Sequence, residues 1–327
     1  MTDPNQYANW LPSKLFQQNG ELFLEWVYLW DVHFEKPFFD ETLTQCRFEN
    51  SLKEKNQKER RITPVDFISE VAATIEPIKP SLFIFHTSRC GSTLTTQILS
   101  LNTSTIVFPE YLLFDKLLQA KIDGQSVDDE TRKGWVKSLV QIMGQKRFDE
   151  EEYLIIKLDS WHLSFHSIIR ELFPEVPFAI LYREPEAILR SNNKQWGIQF
   201  IPEIITPSIY GIVLDKSGSF SLNRYANQVL QKMYNSIIEN VSSDQNTMLF
   251  NYDDGIEKNM QQLTSKLSFD PSFMKKEEVH ERMKFHSKHP QDQFADEKPV
   301  VSEFAFDETI AIYNCVVQFH RQLNQDQ

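Results

Sequence analysis

The chain is predicted to fold as an α/β domain of three layers, a central parallel sheet flanked by helices. Two observations predict it. Five short apolar runs, LFIFH (82–86), TIVF (105–108), YLIIKL (153–158), FAILY (178–182) and TMLFN (247–251), read as buried strands. Amphipathic stretches of helical period lie between them, and strands that alternate with helices imply parallel pairing. A third observation bears on function: in such sheets ligands sit outside the carboxyl ends of the strands, so residues that follow a strand are the first candidates for a site.

Along the chain, residues 1–80 form an aromatic-rich segment expected to pack on a main domain at 81–327. Trp10, Phe16, Phe23, Trp26, Tyr28, Trp30, Phe34, Phe38 and Phe39 crowd positions 10–45. Their spacing reads helical in part, but not around Phe38 and Phe39. Such rings either cap the main domain or form a surface for a ligand. SLKEKNQKERR (51–61), with charges of both signs, reads as an exposed helix or loop. Pro77 and Pro80 break the chain just before the first clear strand. Helical faces follow: Leu94, Ile98 and Leu101; Trp135, Leu139 and Ile142; Trp161, Phe165, Ile168, Ile169 and Leu172; Ala226, Leu230, Met233 and Ile237. Ile312, Val316, Phe319 and Leu323 mark the last helix.

Composition removes whole classes. Of 327 residues, 34 are Lys or Arg and 46 Asp or Glu, a net charge of −12. That argues against a nucleic-acid partner held through its phosphate backbone, while allowing a local basic pocket for a small anion. Cys46, Cys90 and Cys315 lack metal-ligand spacing and imply no disulfide framework, as in a reducing compartment. No apolar run is long enough to span a bilayer, and the first residues do not read as a signal peptide. The expectation is a cytoplasmic protein without a transmembrane segment. The oligomeric state is not legible.

The segment FIFHTSRCGSTLTTQIL (83–99) is a strand, a polar turn and an amphipathic helix in succession. Gly91 lets the turn bring backbone N–H groups close to an anion. Ser92 and Thr93 open the helix, where unpaired N–H groups and the dipole favour negative charge. Arg89 adds a planar cation suited to phosphate or sulfate oxygens. Ser88 and Cys90 complete the turn, and an ordinary strand-to-helix connection is the plainer reading of such residues. Two rival loops fail by inspection. A nucleoside-triphosphatase loop needs a first glycine where His86 stands and a Lys where Ser92 stands. A tyrosine-phosphatase loop needs an Arg six residues after its Cys, and six after Cys90 is Thr96.

The second informative stretch is FPEVPFAILYREPEAILRSNNKQ (173–195). A strand ends at Arg183, Pro185 takes a first helical position, and Ser191 lies two turns along the helix. With both segments in view, the sequence resembles the sulfotransferases that use PAPS (3′-phosphoadenosine 5′-phosphosulfate). Their first signature is similar to TSRCGST (87–93), here with Arg89 where many members carry Lys. Their Arg-Asp-Pro turn is similar to Arg183-Glu184-Pro185, with Glu in place of Asp. FNYDDGIEK (250–258) is a weaker third echo. The resemblance covers about residues 81–260 and implies a P-loop-type fold, PAPS as donor with PAP as product, and no requirement for a metal. It implies that Ser88, Arg89, Cys90, Gly91, Ser92 and Thr93 wrap the 5′-phosphosulfate and that Arg183 and Ser191 hold the 3′-phosphate. The family's Gly-rich C-terminal loop is not evident; KFHSKHP (284–290) is its stand-in, with Lys288 as the anion contact.

The implied activity is transfer of a sulfuryl group to a hydroxyl or amine of an unidentified acceptor, whether small molecule, lipid, sugar or peptide. Such chemistry needs positioning, charge stabilisation and a base. Arg89 is the candidate for stabilising the leaving phosphate. Glu110, just after TIVF, is the candidate base, or it merely opens the following helix. Lys157, at the end of YLIIK, is the candidate sulfate contact, or a strand-end Lys reaching solvent. His162 and His166 fall at i, i+4 on one predicted helix without an evident third ligand. WGIQFIPEIITPSIYGIVLD (196–215) is the expected contributor to the acceptor site. Two alternatives stay open, a nucleotide-dependent kinase on a related loop and a non-catalytic nucleotide-binding protein.

Overall fold

Asn19 and Gly20 decide how the chain begins. Both adopt left-handed backbone, φ 51° and 80°, the conformation that a two-residue hairpin turn demands and Asn-Gly supplies. In the computed structural model, which describes residues 3–52, 60–214, 220–242, 244–285 and 303–323, β1 (Trp10–Gln18) and β2 (Glu21–Tyr28) therefore pair antiparallel. β3 (Arg61–Pro64) pairs with β2 on its other side. The aromatic residues of positions 10–28 thus lie on strands, which corrects the helical reading. Leu22, Leu24 and Trp26 are buried at every second residue, the period of a strand with one covered face. The helix begins later, at Phe39, as α1 (Phe39–Leu52).

α2 (Phe67–Ala72), β4 (Pro80–His86), α3 (Ser92–Leu99), β5 (Thr105–Pro109) and α4 (Leu112–Leu118) follow. Next come the two-residue strands β6 (Lys121–Ile122) and β7 (Gln125–Ser126), then α5 (Asp129–Met143), β8 (Tyr153–Lys157), α6 (His166–Leu172), β9 (Phe178–Tyr182) and α7 (Pro185–Lys194). α8 (Leu222–Val241), β10 (Thr247–Asn251), α9 (Ile256–Lys266), α10 (Glu277–Lys284) and α11 (Asp307–Leu323) complete the described elements. All five apolar runs are strands of one sheet, in the order β10-β9-β4-β8-β5. The pairs β10–β9, β9–β4 and β8–β5 are parallel. The protein is an α/β fold with a central parallel sheet flanked by helices. Leu82, Phe83, Ile84 and Phe85 are wholly buried, as expected of a strand covered on both faces. No described helix is long and apolar enough to cross a membrane.

The chain groups into two units, Met1–Leu82 with Thr96–Lys157, and Phe83–Thr95 with Leu158–Gln327. In the first, the rings of Phe34 and Phe39 pack on Phe108 of β5, and Phe39 also meets Tyr111. The Tyr111 hydroxyl donates to the carbonyl of Pro12, tying the hairpin to this cluster. These rings pack on one another and on β5. In the second unit, α8 packs against α7 and α11. The predicted helix beginning near Trp161 splits there into a tight 3-10 turn, Ser160–Phe165, and then α6. The split has a local cause: the backbone N–H of Asp159 donates to Nδ1 of His162 at 3.1 Å. His162 is thereby spent on the turn, and it does not share a helix with His166.

Candidate anion-binding site

The turn after β4 is built from unusual backbone. Ser88, Arg89 and Gly91 all have positive φ, at 75°, 50° and 77°. Gly91 needs its missing side chain twice over: a Cβ there would lie 3.0 Å from the ring of Tyr252, and the conformation is one that side chains rarely adopt. Two non-glycine residues held in this region represent stored strain of about 1–3 kcal/mol each, which persists only where surroundings impose it. Those surroundings are visible. The carbonyl of Leu181 in β9 accepts from the Thr87 N–H at 3.0 Å and from the Cys90 thiol at 3.3 Å. The Ser88 N–H donates to Nδ1 of His86 at 3.1 Å. α3 then starts at Ser92, its first turn closed by the Thr95 N–H on the Gly91 carbonyl at 3.0 Å.

Arg183 joins the second stretch to this turn. Its Nη1 donates to the carbonyl of Arg89 at 3.2 Å, its guanidinium lies 4.1 Å over the ring of Tyr252, and its own carbonyl accepts from the Tyr234 hydroxyl at 2.7 Å. Tyr252 follows β10 in the YDD turn, so one ring covers Gly91 and supports Arg183. Glu184 caps α7 through bonds from the N–H groups of Glu186 and Ala187, at 3.1 and 3.0 Å, with Pro185 next as expected. Burial raises the Glu184 carboxyl above its usual range against those two bonds. A carboxylate cap is what the position requires, so Glu in place of Asp keeps the turn. Ser191 lies half-buried on α7. The Arg89 guanidinium reaches the carbonyl of Gln195 at 3.1 Å, and the Gln199 amide reaches Ser88 Oγ at 2.7 Å.

The residue types fit a phosphate-bearing ligand. Two guanidinium groups and several hydroxyls lie on or beside the turn, and Thr87 Oγ1 is fully buried without a hydrogen-bond partner among the described residues. Arg89 and Arg183 supply charge, while Ser88, Ser92 and Thr93 lie on the turn and the helix start. Lys288 lies outside the described residues. Among those described, no group of three His, Cys, Asp or Glu side chains is placed to hold a metal ion.

In the other unit, Glu110 and Lys157 form a pair. β5 and β8 run parallel with Pro109 beside Lys157. Glu110, the next residue, takes left-handed backbone at φ 53° and donates its N–H to the Lys157 carbonyl at 2.8 Å. Its carboxylate accepts directly from the Lys157 ammonium. Lys157 is 0% exposed and Glu110 21%, so the strand-end Lys does not reach solvent. Glu110 does not serve as the cap of α4, whose cap residue is Tyr111. A buried ammonium requires its anion: removing one partner of such a pair costs about 3–5 kcal/mol. Phe38 completes the surroundings, its ring centre 5.9 Å from Lys157 Nζ.

Sequence reasoning missed Tyr234, Gln195 and Gln199. It held Tyr252 only as part of a motif. Tyr252 had a signal, since it follows an apolar strand in a polar turn. The others act through a backbone carbonyl or a single amide and leave no pattern.

No family model and no curated protein sequence matches this chain. Solved structures similar to it include a sulfotransferase from Alicyclobacillus acidocaldarius, at 11% identity over 75% of this chain and 92% of that one, TM-score 0.41. Sulfotransferase STF9 from Mycobacterium avium has 12% identity over 87% and 84%, TM-score 0.46. Mouse sulfotransferase SULT7A1, complexed with PAP, has 10% identity over 83% and 97%, TM-score 0.40. At these identities and scores the likenesses carry no argument about chemistry.

Proposed function

We propose that this protein is a PAPS-dependent sulfotransferase acting on a hydroxyl or amine. The observation that carries the reading is the bond from Arg183 Nη1 to the carbonyl of Arg89 at 3.2 Å. It joins the two sequence segments that together carry the resemblance. PAPS, when bound, supplies the sulfuryl group, which passes from its phosphate oxygen to the acceptor. The turn from Ser88 to Thr93 binds the 5′ end through N–H groups, hydroxyls and the Arg89 charge. Arg183 and Ser191 bind the 3′-phosphate, and Tyr252 holds the Arg183 plane. Arg89 offsets the negative charge that grows on the departing phosphate. Glu110 accepts the acceptor's proton. Lys157, which donates to that carboxylate, is the sulfate contact. The acceptor surface belongs to residues 196–215.

Calorimetric titration with PAP tests the reading, beside the Arg183→Ala variant and with ATP as control. Micromolar binding without Mg²⁺, strongly weakened in the variant and absent for ATP, is the expected result. Well-folded protein that ignores PAP overturns it. Labelled PAPS with an acceptor panel then separates an enzyme from a protein that only holds the nucleotide.

A further inference from the structure

Gln199 belongs to neither anchor. Its side chain is buried, and its Nε2 donates to Ser88 Oγ at 2.7 Å. A serine hydroxyl has one proton to give and two lone pairs to receive with. The amide occupies a lone pair, so the Ser88 proton is directed elsewhere, and among the described residues no other bond is made at Ser88 Oγ. The backbone of Ser88 cannot swing to find a new partner cheaply. It is held at φ 75° with its N–H on His86.

Gln199 is itself fixed. The Tyr210 hydroxyl donates to its carbonyl at 3.3 Å. Gly197 leaves room for it, since a Cβ there would lie 2.5 Å from the Gln199 amide. The Gly197 N–H donates to Asn192 Oδ1 at 3.0 Å, and Asn192 is anchored on the Ile188 carbonyl of α7 at 2.8 Å. A polar chain therefore runs from α7 through Gly197 and Gln199 to the turn, buried at Asn192 and Gln199.

We propose that Gln199 is a positioning residue of the anion site, aiming the Ser88 hydroxyl proton at a ligand oxygen beside Arg89. This rests on the turn being the phosphosulfate site. It assigns Ser88 one role, donor, and explains why an amide rather than a carboxylate faces it.

The test uses near-isosteric exchange. Gln199→Glu offers only acceptor oxygens, so the Ser88 proton turns back onto it. PAP affinity is expected to fall about tenfold to a hundredfold, the range for a lost hydrogen bond to a charged group. Gln199→Met removes the amide without reversing it, with an expected loss of about threefold. In a Ser88→Ala background Gln199→Met has no further effect, because the two act through one bond. Lowering pH through the carboxyl range restores affinity to Gln199→Glu, whose protonated acid again donates to Ser88. Wild type, titrated in parallel, subtracts His86 and the ligand's own phosphates. A purely structural Gln199 shows no such recovery. Gln199→Glu binding like wild type overturns the proposal, as does a Gln199→Met loss that persists in Ser88→Ala. If Gln199→Glu fails to fold, the Met and Ala cycle decides. Wild type that binds inorganic pyrophosphate but not PAP, with the same Gln199 dependence, keeps the positioning role and removes the nucleotide reading. Wild type that binds neither removes both.

Discussion

Two arginines stand at opposite ends of the same strand pair, and their difference separates fold from function. Arg170 lies 3.5 Å over the ring of Phe178, the first residue of β9. Arg183 follows the last residue of β9 and lies 4.1 Å over Tyr252, just beyond β10. The stacking is alike; the partners are not. Arg170 meets the Asp244 carboxylate at 2.8 Å and donates to the carbonyls of Phe173, Pro174 and Val176. It staples the amino end shut. The Arg183 bond described above is to the carbonyl of Arg89 in the turn. At the amino end the arginine meets a carboxylate and three carbonyls, and at the carboxyl end it meets the carbonyl of the turn and a ring.

The largest effect expected from breaking this contrast is on turnover. Glu110→Gln keeps an oxygen for Lys157 but strands its charge, at a cost in stability, and removes the proposed base, so in protein that stays folded kcat should fall by about 10²–10⁴ while PAP affinity holds. Single-turnover kinetics with labelled PAPS measures it, and a loss under about threefold leaves Glu110 as a counter-ion only. The next effect crosses the two arginines. Arg170→Ala strands Asp244, which is 11% exposed on its side chain, and should cost about 3–5 kcal/mol in urea unfolding with PAP affinity intact. Arg183→Ala should do the reverse, weakening PAP by about a hundredfold with little change in the midpoint. Equal losses in both assays would erase the distinction.

A pH profile sharpens the same contrast. Burial pushes the His166 imidazole down to about 4, against the opposing pull of Asp244. The unfolded chain takes up that proton near about 6.5. Stability from this group is therefore full above about pH 6.5 and falls as pH drops toward 4, by up to about 3 kcal/mol. His166→Gln should flatten that slope in denaturant melts at stepped pH. The smallest expected effect is Gly20→Ala, at φ 80° in the hairpin turn, costing about 1 kcal/mol with PAP binding unmoved.

The five sheet strands were legible because each is a short apolar run covered on both faces, where little else competes with hydrophobicity. The hairpin was hidden by its aromatic residues, whose crowding masks a period of two; Asn19-Gly20 was the signal to weigh. At the site, Arg89, Gly91, Arg183 and Pro185 stand in sequence where turn chemistry demands them. The complete burial of Lys157 has no local signature, because its surroundings include the ring of Phe38 and one carboxylate 47 residues away. Gln199 is silent for the same reason: its partner lies 111 residues earlier.

The Leu181 carbonyl has a metric consequence. It pins both flanks of the turn, Thr87 and Cys90, and Arg183 follows two residues later on the same backbone. A strand advances about 3.3 Å per residue, so that interval is about 7 Å and cannot stretch. β9 is thus a gauge with two marks on it. A shift of β9 along its own axis would carry the turn and Arg183 together.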